Sequence, residues 1–193
     1  MTLIVQKDNK VLRDIAKPVN ITDITSPKIQ KIIADMKEAM GSEHDAVAIA
    51  APQIGVSLRI FVMSGRARLI VKKEEGNQET DERSDKLSPL YADEVFINPV
   101  ITKISKKKKA MEEGCLSVRF LYGKVERAVK ASVEAFDENG NKFTKGGSGL
   151  IAQIFQHETD HLNGALFIDK AKDVTELSAK ERETWAKQNR KIK

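Results

Sequence analysis

Gln156-His157-Glu158-Thr159-Asp160-His161 holds two of the three histidines in this 193-residue chain, four residues apart. On an α-helix that spacing projects both imidazoles from one side, about 6 Å apart along the axis at roughly 1.5 Å per residue. Two such rings can ligate one tetrahedral cation. Glu158, directly after the first ring, can act as general base on a water beside that ion. The competing reading is a polar helix face with two unrelated histidines, and the scarcity of histidine elsewhere weighs against it. The flanks define the helix, with Ser148 as N-cap and Asn163-Gly164 as stop. Leu150, Ile151, Ile154, Phe155 and Leu162 leave little of its circumference polar, which predicts a buried, central helix. Buried His, Glu, Asp and His need partners, and a cation would satisfy them. Asp160 reads equally as a carboxylate orienting an imidazole or as a solvated side chain.

Two histidines leave a metal one protein ligand short. A third histidine six residues beyond the second, as in one large protease class, fails because that position is Phe167. A glutamate from a later helix, Glu181 or Glu183, would fit a second protease class. The remaining candidate is Cys115, the only cysteine. A lone cysteine is more often an inert buried side chain. Its frame, Glu112-Glu113-Gly114-Cys115-Leu116-Ser117, argues for a ligand, with a glycine that lets the backbone turn. One cysteine allows no intrachain disulfide, which fits a reducing compartment. Thiolate, two imidazoles and one open position make a catalytic arrangement.

Three segments together resemble the peptide deformylase family: Ala46-Val47-Ala48-Ile49-Ala50-Ala51-Pro52-Gln53-Ile54-Gly55, then Glu113-Gly114-Cys115-Leu116-Ser117, then Gln156-His157-Glu158-Thr159-Asp160-His161-Leu162-Asn163-Gly164. The resemblance runs from the first helix to about residue 169. It implies a metal-dependent hydrolase that removes the N-formyl group from the initiator methionine of nascent polypeptides. It implies Cys115, His157 and His161 as ligands of one divalent ion, usually Fe2+, with Zn2+, Ni2+ or Co2+ as substitutes. Residue types alone suit zinc and iron equally. It further implies Glu158 as the acid–base group, and Gln53 and the backbone N–H of Leu116 as donors to the oxyanion. Substrate contacts would fall at Ala46, Val47, Ala48, Glu113, Gly114 and Arg127. A formamide is a poor electrophile, so an activated water and oxyanion donors are what its hydrolysis requires.

Two departures from the family pattern carry expectations of their own. Ala46 and Ala48 stand where glycine is usual, adding two methyl groups near the expected methionine pocket. The plain reading is tolerance; the sharper one is a narrowed pocket with altered side-chain preference. Val118-Arg119-Phe120 follows the cysteine motif where relatives commonly have proline, which puts the local strand exit in doubt.

Length and composition fit one catalytic domain over 1–169, with a polar insertion at about 64–93 read as an exposed loop or hairpin, and a basic helical tail over 170–193. No apolar run is long enough to span a membrane and no secretory segment opens the chain, so a cytoplasmic protein without a membrane partner is expected. A helix is predicted over 27–40, capped by Ser26 and opened by Pro27, with Ile29, Ile32, Ile33, Met36 and Met40 as its apolar stripe. Strands are predicted at 58–63, 95–104 and 125–136, the last turning at Asp137-Glu138-Asn139-Gly140. Strands followed by a buried motif helix give an α+β fold, with antiparallel sheets around that helix and further helices at the N- and C-terminal ends.

The net charge is +5. Lys106-Lys107-Lys108-Lys109 and the tail, with eight Lys/Arg against four Asp/Glu, fit work near polyanions. A helix at 175–191 anchored by Leu177 and Trp185 would let Lys187, Arg190, Lys191 and Lys193 touch phosphates of ribosomal RNA. A solvated terminal helix is the plainer reading. Two alternatives to a deformylase stand beside it: a zinc endopeptidase with a downstream glutamate ligand, and a catalytically silent ribosome-associated relative.

Overall fold

A computed structural model describes residues 2–74 and 92–190. Helix α1 spans Pro27–Gly41, with Pro27 in the first turn and the Ser26 hydroxyl accepting the Ile29 N–H. Strands β1 (Ala48–Ala50) and β2 (Ile60–Met63) follow, then α2 (Gly65–Glu74). After these come β3 (Glu94–Ile104), β4 (Lys108–Gly114), β5 (Leu121–Ala128), β6 (Lys130–Phe136) and β7 (Lys142–Ser148). Helix α3 (Leu150–Leu162) carries the histidines, and β8 (Lys172–Glu176) and α4 (Ala179–Arg190) complete the described chain. The strands form a five-stranded sheet ordered β1-β2-β3-β6-β7 and a three-stranded sheet ordered β4-β5-β8. All neighbours within them are antiparallel. The fold is α+β, as expected.

The five-stranded sheet is covered on both faces, and strand alternation assigns each side chain to a helix. Ile60 and Val62 of β2 and Val95 and Ile97 of β3 pack with Ile29, Ile33, Met36 and Met40 of α1. The intervening Phe61, Met63 and Phe96 turn to the other face, against Ala152, Ile154, Phe155 and Leu162 of α3. Phe61 and Phe96 stack at 4.4 Å between centroids, and Phe155 closes on them at 6.4 and 5.5 Å. The helix bearing the histidines is therefore fixed on a rigid aromatic platform. A third cluster, Leu12, Val118, Val125, Leu166 and Phe167, lies by the smaller sheet.

Four local expectations need correction. Part of the insertion at 64–93 is helical: α2 buries Ala67, and its first N–H donates to Asp93 at 3.2 Å. Its many Lys and Arg hid a helix-forming run. Residues 75–91 of that insertion lie outside the described residues. The strand predicted at 125–136 is two strands, because the chain changes sheets at Val129. There the N–H donates to Lys107 O at 3.1 Å and the carbonyl accepts from Gly149 N at 3.1 Å.

Ser148 ends β7 and does not cap α3. The N-cap is Gly149, with φ 53° and ψ −127°, a backbone conformation that residues with a Cβ rarely adopt. The tail is not one helix. Residues 172–176 pair with β5, and α4 starts later through a capping box. In it the Glu181 carboxylate accepts the Ser178 N–H at 2.7 Å while the Ser178 hydroxyl accepts the Glu181 N–H at 3.4 Å. The tail is thus woven into the body that holds the site.

Candidate metal centre and cleft

Three separate elements deliver the site. Gln53 sits in a short 3-10 turn, Ala51–Ile54, just after β1. Its Oε1 accepts the Ala50 N–H at 2.8 Å, which turns Nε2 toward Cys115 Sγ (3.5 Å) and Ser117 Oγ (3.3 Å). Cys115 directly follows β4 and is held in a turn in which the Val118 N–H reaches the Cys115 carbonyl at 3.0 Å. The histidines come from α3. Its register on the sheets is pinned by Gln156, whose amide bonds the N–H and C=O of Ala128 at 3.0 Å each.

The outcome is a compact donor set. Cys115 Sγ lies 3.2 Å from His161 Nε2. His157 and His161 rings are 5.0 Å apart and nearly perpendicular. One ligand atom from each of Cys115, His157 and His161 falls within 4.8 Å of the others. Glu158 is 3% exposed beside them, with Oε2 lacking any partner among the described residues. His161 Nδ1 is likewise buried without a partner.

Behind the donors runs a chain of charges that a reading of types and spacing missed. The Glu113 carboxylate takes His157 Nδ1 at 2.9 Å and both Arg127 Nε and Nη2, at 2.7 and 2.9 Å. Arg127 Nη1 continues to Asp160 at 2.7 Å, and Asp160 to Lys170 at 2.6 Å. Arg127 is therefore corrected from a substrate contact: it is buried, committed to two carboxylates, and not part of the cleft lining. Asp160 fits neither reading given it, since it braces Arg127 and touches no imidazole. Gly114 is also revised. It is extended in β4, and what it permits is close approach: a Cβ there would lie 2.7 Å from the Tyr122 ring. Glu181 and Glu183 are exposed on α4, and neither joins the donor set.

The electrostatics follow from this geometry. Burial alone would raise the Cys115 thiol, but the charge of His161 and hydrogen bonds from His157 and His161 bring it down to about 5. It is a thiolate at neutral pH, the form that ligates metals. Burial would likewise raise Glu113, yet its bonds to His157 and Arg127 hold it at about 2. Glu158 is pushed up, chiefly by burial. With Glu113 bonded to Nδ1, the Nε2 of His157 is left for an ion, and thiolate with two imidazoles suits a borderline-soft divalent cation. The residues fit such a group.

The donors open on a cleft of about 280 Å³, lined among others by Ala46, Val47, Ala48, Glu113, Gly114 and Leu116. Alanine at 46 and 48 costs the backbone nothing, since neither residue has positive φ. A Cys-His-His donor set with a buried carboxylate at the floor of an open cleft defines a single-metal hydrolase.

The family model for polypeptide deformylase matches residues 1–176. The peptide deformylase of Psychrobacter cryohalolentis is 38% identical over 171 residues, covering 89% of this chain and 79% of its own length. Peptide deformylase 1A, chloroplastic/mitochondrial, of Arabidopsis thaliana is 39% identical over 169 residues, covering 86% of this chain and 60% of that protein. Among solved structures, a peptide deformylase from Legionella pneumophila superposes with a TM-score of 0.70 at 35% identity, covering 100% of this chain and 95% of the other. A class I type b peptide deformylase from Acinetobacter baumannii, bound to Met-Ala-Ser, gives 0.71 at 30% identity over 88% of this chain and 98% of its own. The chain belongs to the polypeptide deformylase family, and its activity is that of a peptide deformylase.

Proposed function

We propose that the substrate is the N-formylmethionyl end of a nascent polypeptide and the products are formate and a free amino terminus. The observation that carries this is the convergence of Cys115, His157 and His161 donor atoms within 4.8 Å, beside buried Glu158. These three side chains would hold one divalent ion, which when bound supplies Lewis-acid activation of water and of the formyl oxygen. Fe2+ is the ion we assign, on family resemblance.

The protein's own groups do the rest. Glu158, raised by burial, takes the proton of the attacking water. It then delivers that proton to the departing amine nitrogen as the C–N bond breaks. Gln53 Nε2, aimed by the bond that Ala50 makes to its Oε1, and the Leu116 N–H donate to the oxyanion. Glu113 keeps His157 in one tautomer, and Arg127 keeps Glu113 ionised. Ala46, Val47 and Ala48 form the wall against the methionine side chain, with Glu113 and Gly114 opposite.

We place the protein in the cytoplasm; among the described residues no helix is long and apolar enough to cross a membrane. The basic tail is assigned a contact with ribosomal RNA, for which the exposed Lys187 is available. Trp185 packs on Phe120 at 5.3 Å, so a truncation testing this must cut beyond it. Removal of the residues after Ala186 should weaken ribosome binding and flatten its salt dependence, and unchanged binding would exclude the contact. The enzymatic reading is tested by formate release from formyl-Met-Ala-Ser, with metal analysis of protein purified without oxygen. No formate from metal-replete protein would reject it.

A further inference from the structure

The chain's single tryptophan lies on α4, outside the cleft lining, yet its ring packs against residues that line the cleft. Trp185 meets Phe120 edge-on at 5.3 Å and His44 at 5.6 Å. The Arg119 guanidinium sits 4.7 Å over its face, and its Nε1 donates to Asp45 Oδ2 at 3.2 Å. Arg119 is held further by Glu43 at 2.8 Å and Asp45 at 2.9 Å. One turn earlier on the same helix, Arg182 covers Phe120 at 5.0 Å and donates to Leu177 O at 2.9 Å. The Leu177 N–H in turn donates to Phe120 O at 2.9 Å. Phe120 itself has φ 68°, a conformation that a bulky side chain keeps only where its surroundings enforce it.

Asp45, Arg119 and Phe120 all line the cleft. Gln53 and Glu158 lie buried at its floor, whereas Asp45 is exposed at its mouth. A terminal formamide must reach the floor, so the peptide behind it leaves past the mouth. We propose that α4 backs one wall of that mouth, the wall made by Asp45, Arg119 and Phe120. In this arrangement Trp185 is a positioning residue, presenting Arg119, Asp45 and Phe120 to the substrate residues that follow the formylated one. The indole face and two carboxylates remove the rotamer freedom of Arg119 before any peptide arrives, so binding need not supply that ordering. A tryptophan serving only to anchor a tail would have no reason to meet three cleft-lining residues. The inference rests on the deformylase reading for the substrate's identity alone.

Trp185→Ala and Trp185→Phe should be compared with the intact protein, each fully metallated, on formyl-Met-Ala-Ser and on formyl-Met alone. We expect Trp185→Ala to raise KM for the tripeptide about fivefold or more with kcat within about twofold, and to change KM for formyl-Met far less. Trp185→Phe keeps an aromatic face and loses the bond to Asp45, so it should recover most of the loss. If the alanine variant does not fold, the emission titration that follows tests the wall in its place. In the intact enzyme, tryptophan emission should shift on titration with unformylated Met-Ala-Ser. Equal tripeptide KM in the intact enzyme and Trp185→Ala, parallel loss on both substrates, or emission unmoved by Met-Ala-Ser overturns the wall. Absence of formate from the intact enzyme would instead strike the deformylase reading, and the emission titration would then decide the wall by itself.

Discussion

Glu113→Gln is the substitution whose consequences the structure defines most closely. The carboxylate is 4% exposed and bonds His157 once and Arg127 twice. Burial opposes its charge, but those partners hold it at about 2 against an ordinary 4.5. A displacement of that size corresponds to about 3 kcal/mol favouring the ionised form in the folded protein. Glutamine preserves shape and removes the charge, leaving buried Arg127 with Asp160 as its one remaining carboxylate. A cost of about 3 kcal/mol or more is expected in the metal-free protein. The folded pKa is depressed, so the stabilisation is fully present above pH 4.5 and is lost as pH falls toward 2. Urea unfolding of chelated protein should therefore show intact and variant proteins converging over that window and separated at pH 7. Because His157 also loses its orienting partner, metal affinity measured against a competing chelator should fall about 10- to 100-fold. A difference under about 1 kcal/mol at pH 7 with unchanged metal affinity would refute the reasoning, since that is the typical contribution of an exposed carboxylate.

Glu158→Gln should retain metal, because Glu158 is outside the donor set, and lose kcat by about 100-fold or more; retained turnover would exclude it as the proton carrier. Cys115→Ser should lose most of its bound metal at equilibrium, and full retention would mean that another side chain supplies the third ligand. Ala48→Gly removes a 7%-exposed methyl from the cleft wall; relative kcat/KM for formyl-Met over shorter formylated residues should rise, and an unchanged ratio would show that the methyls do not shape the pocket. Phe96→Ala takes a fully buried ring from the stack beneath α3, and calorimetry or urea should register a loss of about 3–5 kcal/mol.

Residue types and spacing were enough to read two of the three donors, because His157 and His161 are one helical turn apart and helix geometry alone puts them side by side. The same holds for α1, where Ser26, Pro27 and the Ile/Met stripe are local signals. Local signals misled where the chain changes partner. The strand predicted at 125–136 is continuous in propensity, and only the separation of the two sheets breaks it at Val129. The α2 segment was hidden by its own charge, and its buried Ala67 is visible only once β2 and α3 are in place.

The sequence by itself determined an α+β chain with a two-histidine helix, a candidate third ligand in Cys115, and a carboxylate fit to move a proton. Only the tertiary structure decided that Cys115 meets those histidines, that Glu113 and Arg127 stand behind them as a buried charge relay, and that Trp185 packs on Asp45, Arg119 and Phe120 of the cleft lining. The physical reason is distance along the chain. Pairs such as His157 with Glu113, or Trp185 with Asp45, are separated by 44 and 140 residues, and no periodicity spans such gaps. Their encounter is set by how the sheets stack and where α3 and α4 dock, which depends on the whole hydrophobic core at once.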